Sequence, residues 1–222
     1  MTHEDRIAKE LSISNKQVVA TIQLLDEGAT VPFISRYRKE VTGSLDDLQV
    51  ASIRDRIQQL RDLDARKEAI LKSIQEQEKL TPELEKKIKE AETMSKLEDL
   101  YLPYKPKRKT RASIAKEKGL EPLALKILDQ GSFDPEVEAS NYIEDEKDVN
   151  SADDALQGAR DIIAEIINED ADAREQIRSL FLKKGSINAK VLKSKAKETD
   201  AQKYKDYFEW DEPLNKIPSH RL

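Results

Sequence analysis

Cysteine is absent from the 222-residue sequence. Neither a disulfide framework nor a thiolate metal site is therefore open to it, in keeping with a reducing compartment. Histidine occurs twice, as His3 and His220 near opposite ends, and neither has a partner at metal-ligand spacing. The six glycines are dispersed singly, which excludes a glycine-rich phosphate loop of either common form. No apolar run approaches the roughly 18 residues of a membrane-spanning helix, and no signal-peptide pattern opens the chain. A soluble, cytoplasmic protein with no membrane partner is expected. Acid pairs such as Asp46-Asp47 and Asp153-Asp154 read as helix caps or solvated charge rather than a catalytic dyad. With no positioned nucleophile, base or metal set, the expectation is a non-enzyme with no cofactor and no metal.

What the chain has in abundance is charge. Charged residues make up 37% and aromatics 5% of the sequence, and the mean hydropathy is -0.74, a balance that suits long helices with solvated faces better than a thick sheet sandwich. The net charge of -5 conceals strong segregation. Asp134 to Glu175 carries fifteen acids against three bases, whereas Lys183 to Lys197 carries six lysines and no acid. Any polyanion site must be local, and the acidic stretch is equally suited to masking the basic ones within the molecule.

Apolar spacing predicts helices almost throughout. The first runs from about Glu4 to Leu11. A second, about Asn15 to Glu27 with Ser14 or Asn15 as cap, ends at Gly28. A third starts at Thr30-Val31-Pro32, with Phe33, Ile34, Tyr37 and Val41 on one face and Arg36 and Lys39 on another. These three form a helix-turn-helix-like unit over 1–43, whose Arg36, Arg38 and Lys39 would face a nucleic acid or simply solvent. Ser44 is expected to cap a spine helix unbroken from Leu45 to about Lys79, with Leu60, Leu63, Ile70 and Ile74 as its apolar stripe. Thr81-Pro82-Glu83 starts a return helix that folds back on it. Small helices follow, separated by Gly119, Pro122, Gly131 and Asp134-Pro135. The strongest periodicity falls at Ala155, Ala159, Ile162 and Ile166 after a Ser151 cap. A further helix carries Ile177, Leu180 and Phe181 before Gly185. Ser186 to Leu192 alternates as a strand would, with a helix fitting nearly as well, and Tyr204 to Trp210 reads as a short helix or turn.

Leu97 to Arg111, LEDLYLPYKPKRKTR, interrupts this helical pattern. Pro103 and Pro106 forbid a continuous helix there, and Lys105, Lys107, Arg108, Lys109 and Arg111 follow with no acid among them. Tyr101 and Tyr104 are interleaved with that charge. The loop is either a phosphate-contacting segment or a solvated connector.

The strings VPFISRYRKEVTG (31–43), LEDLYLPYKPKRKTRASIAKEKGLEP (97–122), QGARDIIAE (157–165) and DYFEWDEPLNKIPSHR (206–221) together resemble the bacterial Tex family of transcription accessory proteins. That resemblance implies an elongated, nucleic-acid-binding helical protein acting in or around transcription, related in architecture to the eukaryotic elongation factor that doubles as a histone chaperone. Family members continue past the position of Pro218 to Arg221 into a ribonuclease-H-like domain, helix-hairpin-helix modules and an OB-fold. This chain is accordingly expected to be an amino-terminal portion of a longer protein. Because the family's best-understood nucleic-acid contacts lie in the OB-fold, none of its RNA-binding residues carries over. Two positions depart from the family pattern: Ser35 stands where alanine is frequent, and Glu78 where glycine often ends the spine.

The expected architecture is all-α and elongated around one long central helix, with at most a short strand pair near 186–193. It divides into a helix-turn-helix-like unit (1–43), the spine and return helices (44–100), the basic loop with small stacked helices (101–198), and a linker toward a ribonuclease-H-like domain (199–222). The expected role is a non-catalytic scaffold making auxiliary phosphate contacts through Arg36, Arg38, Lys39, Lys105, Lys107, Arg108, Lys109 and Arg111 to RNA or DNA. The alternative is a protein-interaction platform docking RNA polymerase, the ribosome or the rest of the same chain.

Overall fold

The computed structural model describes residues 2–218. The Ser219-His220-Arg221 end of the last family-like string lies outside them. The described residues are mainly α-helical, with one two-stranded sheet, and they divide into two compact units, Met1–Leu97 and Glu98–Leu222.

The first unit begins with α1 (His3–Leu11), whose Thr2 cap forms a reciprocal box with Asp5. Ser14 and Gln17 make the same box at the start of α2 (Asn15–Asp26). Each box satisfies two of the amides that a helix start leaves without partners. The expected third helix is two helices. α3 (Val31–Tyr37) closes when the Arg38 amide donates to the Ile34 carbonyl, Arg38 itself leaves helical dihedrals, and α4 (Lys39–Thr42) restarts beyond it. The break lets the Thr42 and Gly43 carbonyls meet the side-chain amide of Gln17 at 3.1 and 3.2 Å.

The spine, α5 (Asp47–Glu76), runs 30 residues, about 45 Å at 1.5 Å per residue. Its cap is Asp46, boxed with Gln49, and not Ser44. Ser44 instead takes a positive φ in the turn after Gly43. Ile7, Val18, Ile22 and Ile34 pack on Val50, Ile53, Ile57 and Leu60 to form the core of the unit. One ion-pair fork secures α1 to the spine: Arg56 donates to both oxygens of Glu10 at 2.6 and 2.8 Å, and Arg6 adds a third bond at 3.0 Å. The Arg56 hydrogen bond leads in holding the Glu10 carboxyl down at about 2. The return helix α6 (Pro82–Glu90) packs against α5, and Lys67 donates to the Lys89 carbonyl at 2.9 Å.

The spine ends at Glu78, which adopts φ 58°, while the Lys79 amide reaches back to the Ile74 carbonyl at 3.2 Å. This is a Schellman closure, whose left-handed residue favours glycine because a Cβ crowds the carbonyl there.

The boundary between the units falls inside α7 (Met94–Tyr101). Beyond it, α8 (Arg111–Glu117) and α9 (Glu121–Leu128) pack on α11 (Ala152–Glu169), with α10 (Pro135–Ala139) closing the other side. Ala115, Leu120, Leu123, Ala155, Ala159 and Ile162 make the core. Gly158 allows the close approach: a Cβ there would sit 2.3 Å from a methyl of Leu120 and 3.3 Å from Ala115. Asp170 caps α12 (Ala171–Lys184), which buries none of its residues. Strand β1 (Ser186–Lys190) is antiparallel to β2 (Glu209–Pro213), with Ala189 opposite Trp210. The strand pair thus draws its second member from the segment read as a linker. A short helix, α13 (Thr199–Gln202), lies between the strands.

Two stability outcomes follow from these closures. Glu78→Gly is expected to stabilise the chain by about 0.5–1 kcal/mol, the relief of the left-handed Cβ exceeding the added freedom of the unfolded chain. Gly158→Ala is expected to destabilise it by about 1 kcal/mol, since crowding of buried Leu120 outweighs the gain in helix propensity. Urea denaturation monitored by circular dichroism checks both.

Candidate nucleic-acid interface

The expected cationic residues fall in both units. In the first, Arg36 lies in the last turn of α3 and Lys39 opens α4, and both are exposed. Arg38 is half-buried: its guanidinium donates to the Tyr37 carbonyl at 3.1 Å and lies 5.0 Å from the centre of the Phe33 ring. The apolar face assigned to this segment divides in an unexpected way. Ile34 is fully buried, whereas Phe33, Tyr37 and Val41 are exposed. Ser35 is the other buried member of α3. Its hydroxyl meets the Asp47 carboxylate in the first turn of the spine, besides the Val31 and Pro32 carbonyls at 3.1 and 3.3 Å. With Ile34 and Ser35 turned inward, the aromatic residues four positions apart must point out.

In the second unit the basic loop follows a 3-10 turn, Leu102–Tyr104. Tyr101 is buried and offers no face to a ligand, and Tyr104 is half-buried. The cations divide into those with a carboxylate partner and those without. Lys107 is paired with Glu169 and lies 3.6 Å from Glu165, both mostly buried carboxylates of α11. Thr110 donates to Glu165 at 3.1 Å, and Lys109 meets Glu117 at 2.9 Å. Lys105, Arg108 and Arg111 are exposed with no carboxylate partner among the described residues. The acidic segment therefore masks part of the loop, as its composition allowed.

The entry to the loop is fastened by a contact with no sequence signal. Asp99 on α7 is 5% exposed and accepts from Arg174 Nε and Arg178 Nη2 of α12, each at 2.6 Å. Burial alone would raise this carboxyl, but the two guanidinium hydrogen bonds outweigh it, and the group titrates below its ordinary 3.8. Lys183, Lys184, Lys190, Lys193, Lys195 and Lys197 also have no carboxylate partner among the described residues. They form a second basic stretch, visible in sequence as an acid-free run of lysines.

Among the described residues no group of His, Asp and Glu is disposed to hold a metal ion, and no helix is long and apolar enough to cross a membrane. What the geometry offers is exposed cationic surface on a helical scaffold, in one case beside exposed aromatic rings. Residues 1–75 match the Tex-like protein N-terminal domain and residues 130–222 the Tex central region-like family. Protein tex of Bordetella pertussis is 49% identical over 98% of this chain and 27% of its own length, and Transcriptional accessory protein Tex of Neisseria gonorrhoeae is 46% identical over 97% and 28%. S1 RNA-binding domain-containing protein 1 of Homo sapiens is 30% identical over 90% of this chain and 20% of its own length. The chain belongs to the Tex family, and it spans less than a third of the length of these relatives.

The Asp99 clasp sets an expected acid response. Because the folded carboxyl is depressed, its contribution is complete above about pH 4 and is lost as pH falls through the folded value. Asp99→Asn should cost about 2–3 kcal/mol at neutral pH, less than a fully buried pair because the arginines reach water. It should also flatten the loss of stability below pH 4. Denaturation midpoints measured between pH 7 and pH 2 test both effects.

Proposed function

We propose that this chain is a non-catalytic, cytoplasmic helical scaffold of a nucleic-acid-binding transcription accessory protein, and that its open cations make auxiliary, sequence-independent phosphate contacts. The observation that carries the reading is the division of the basic loop. Lys107 is paired with two mostly buried carboxylates and Lys109 only with exposed Glu117, while Lys105, Arg108 and Arg111 stay exposed on a loop whose ends are fastened. A fastened loop loses little freedom on binding, so each contact costs less order than on a mobile tail. The printed names of the relatives, transcriptional accessory protein and S1 RNA-binding domain-containing protein, support a nucleic-acid setting for the longer protein. Arg36 and Lys39 supply a second, independent group of contacts on the helix-turn-helix-like unit, with Arg38 beside them already held against Phe33 and the Tyr37 carbonyl.

A second reading has its own support. The Lys107 pairs are an intramolecular clasp, and α12 exposes Ile177, Leu180 and Phe181, which suits docking of RNA polymerase, the ribosome or the remainder of the same protein. Partners retained from a nuclease-treated lysate favour this reading, and partners lost with the nucleic acid favour the first.

Changing Lys105, Arg108 and Arg111 together to Ser should weaken RNA and DNA binding and reduce the log-log salt slope by about 2.7 on duplex DNA, three contacts at about 0.9 each. Lys107→Ser should instead lower the melting temperature with little effect on that slope. Unchanged binding in the triple variant removes the loop from the function.

A further inference from the structure

We infer that the groove where α11 and α12 meet is a docking site for an amphipathic acidic helix of a partner protein. The inference rests on the second reading above, the interaction platform, and adds the chemistry of what it holds. The groove has a volume of about 570 Å³ and is lined by Ala164, Ile167 and Asn168 of α11 and by Arg174, Ile177 and Arg178 of α12. Helical spacing puts Arg174, Ile177, Arg178 and Phe181 on one face of α12. Ile167, Ile177, Leu180 and Phe181 are all exposed. Scattered apolar residues on a surface are ordinary, but a row of them along a concave face marks an interaction site.

The charge of the groove names the occupant. Arg174 and Arg178 share the single Asp99 carboxylate, and Arg174 also donates to the Asn168 carbonyl and side chain at 3.2 and 3.1 Å. One carboxylate against two guanidinium groups leaves a positive surplus, and Arg178 spends only Nη2 on Asp99. Lys183 and Lys184 add exposed charge at the end of α12. None of the lining residues is an acid. Glu165 and Glu169 of α11 are engaged with the basic loop, and Asp172 and Glu175 of α12 do not line the groove. An apolar floor beside guanidinium groups already held in place fits a helix that carries a leucine or phenylalanine one turn from a carboxylate. The apolar side chain covers Ile167 and Ile177 and the carboxylate meets Arg178, at little cost in side-chain order. A phosphate chain would answer the cations but leave the isoleucines uncovered.

The test titrates the whole chain with an alanine-rich peptide of about 15 residues, long enough for a helix to hold in water, carrying leucine and glutamate one turn apart. One control peptide has lysine for every glutamate, and another has serine for every leucine. The glutamate peptide is expected to bind with an affinity that falls as salt rises, and both controls about tenfold more weakly or worse. Ile177→Asp alters the floor at a position that is 52% exposed. It should weaken the glutamate peptide by about tenfold with helix content and melting temperature unchanged. If it melts earlier, Ile167→Asn repeats the test from α11. Glutamate and lysine peptides that bind alike, no binding of the glutamate peptide, or a groove variant that binds as the original does each overturn the inference. So do two further results. RNA binding lost in Ile177→Asp to the same extent as peptide binding makes the groove a nucleic-acid surface, and a dimer seen by light scattering that this change dissolves makes a second copy the occupant. The platform reading fails separately, if the original chain retains no partner from nuclease-treated lysate. Partners retained equally by the Ile177→Asp chain leave that reading standing on another surface and remove the groove from it.

Discussion

Asp99 is the one carboxylate that the described residues bury, and the second unit is arranged around satisfying it. Removing a carboxylate from water costs several kcal/mol unless compensating charge lies within hydrogen-bond reach. Arg174 and Arg178, one helical turn apart on α12, both reach it. Their four-residue spacing places both guanidinium groups on one face of the helix. The consequence is directional. The last turn of α7 is held against α12 immediately before the prolines begin, so the basic loop leaves from a fixed point.

From that point the acidic helix decides which cations remain available. Glu165 and Glu169 are again one turn apart and mostly buried, so they need cationic or hydroxyl partners, and Lys107 and Thr110 supply them. Lys105, Arg108 and Arg111 have no such call on them. The same economy operates in the first unit. Arg56 is fully engaged with Glu10 and Arg38 with its own helix end, whereas Arg36 and Lys39 are left open. In both units the exposed cationic surface is what internal compensation leaves over.

The chain spans less than a third of the length of these relatives.

Much of the fold was legible from residue spacing. The spine stripe of Leu60, Leu63, Ile70 and Ile74, the return helix after Thr81-Pro82, the Ser151 cap and the Ala155-Ala159-Ile162 face all depend on the 3.6-residue period and on local capping chemistry, and the structure has them as read. Glu78 as the left-handed end of the spine was marked by its departure from glycine. By itself the sequence determined the elements, the family and the location of basic runs, because these are local properties of neighbouring residues. The Asp46–Gln49 box that caps the spine is equally local, although Ser44 was read in its place. Only the tertiary structure decided which face of α3 turns inward, that α3 breaks at Arg38, that β1 finds its partner at 209–213, and which cations are already spent. Each of those outcomes joins residues far apart in the chain or depends on burial by other elements. The physical reason is common to them: whether a side chain is open or occupied is settled by what the rest of the fold brings beside it.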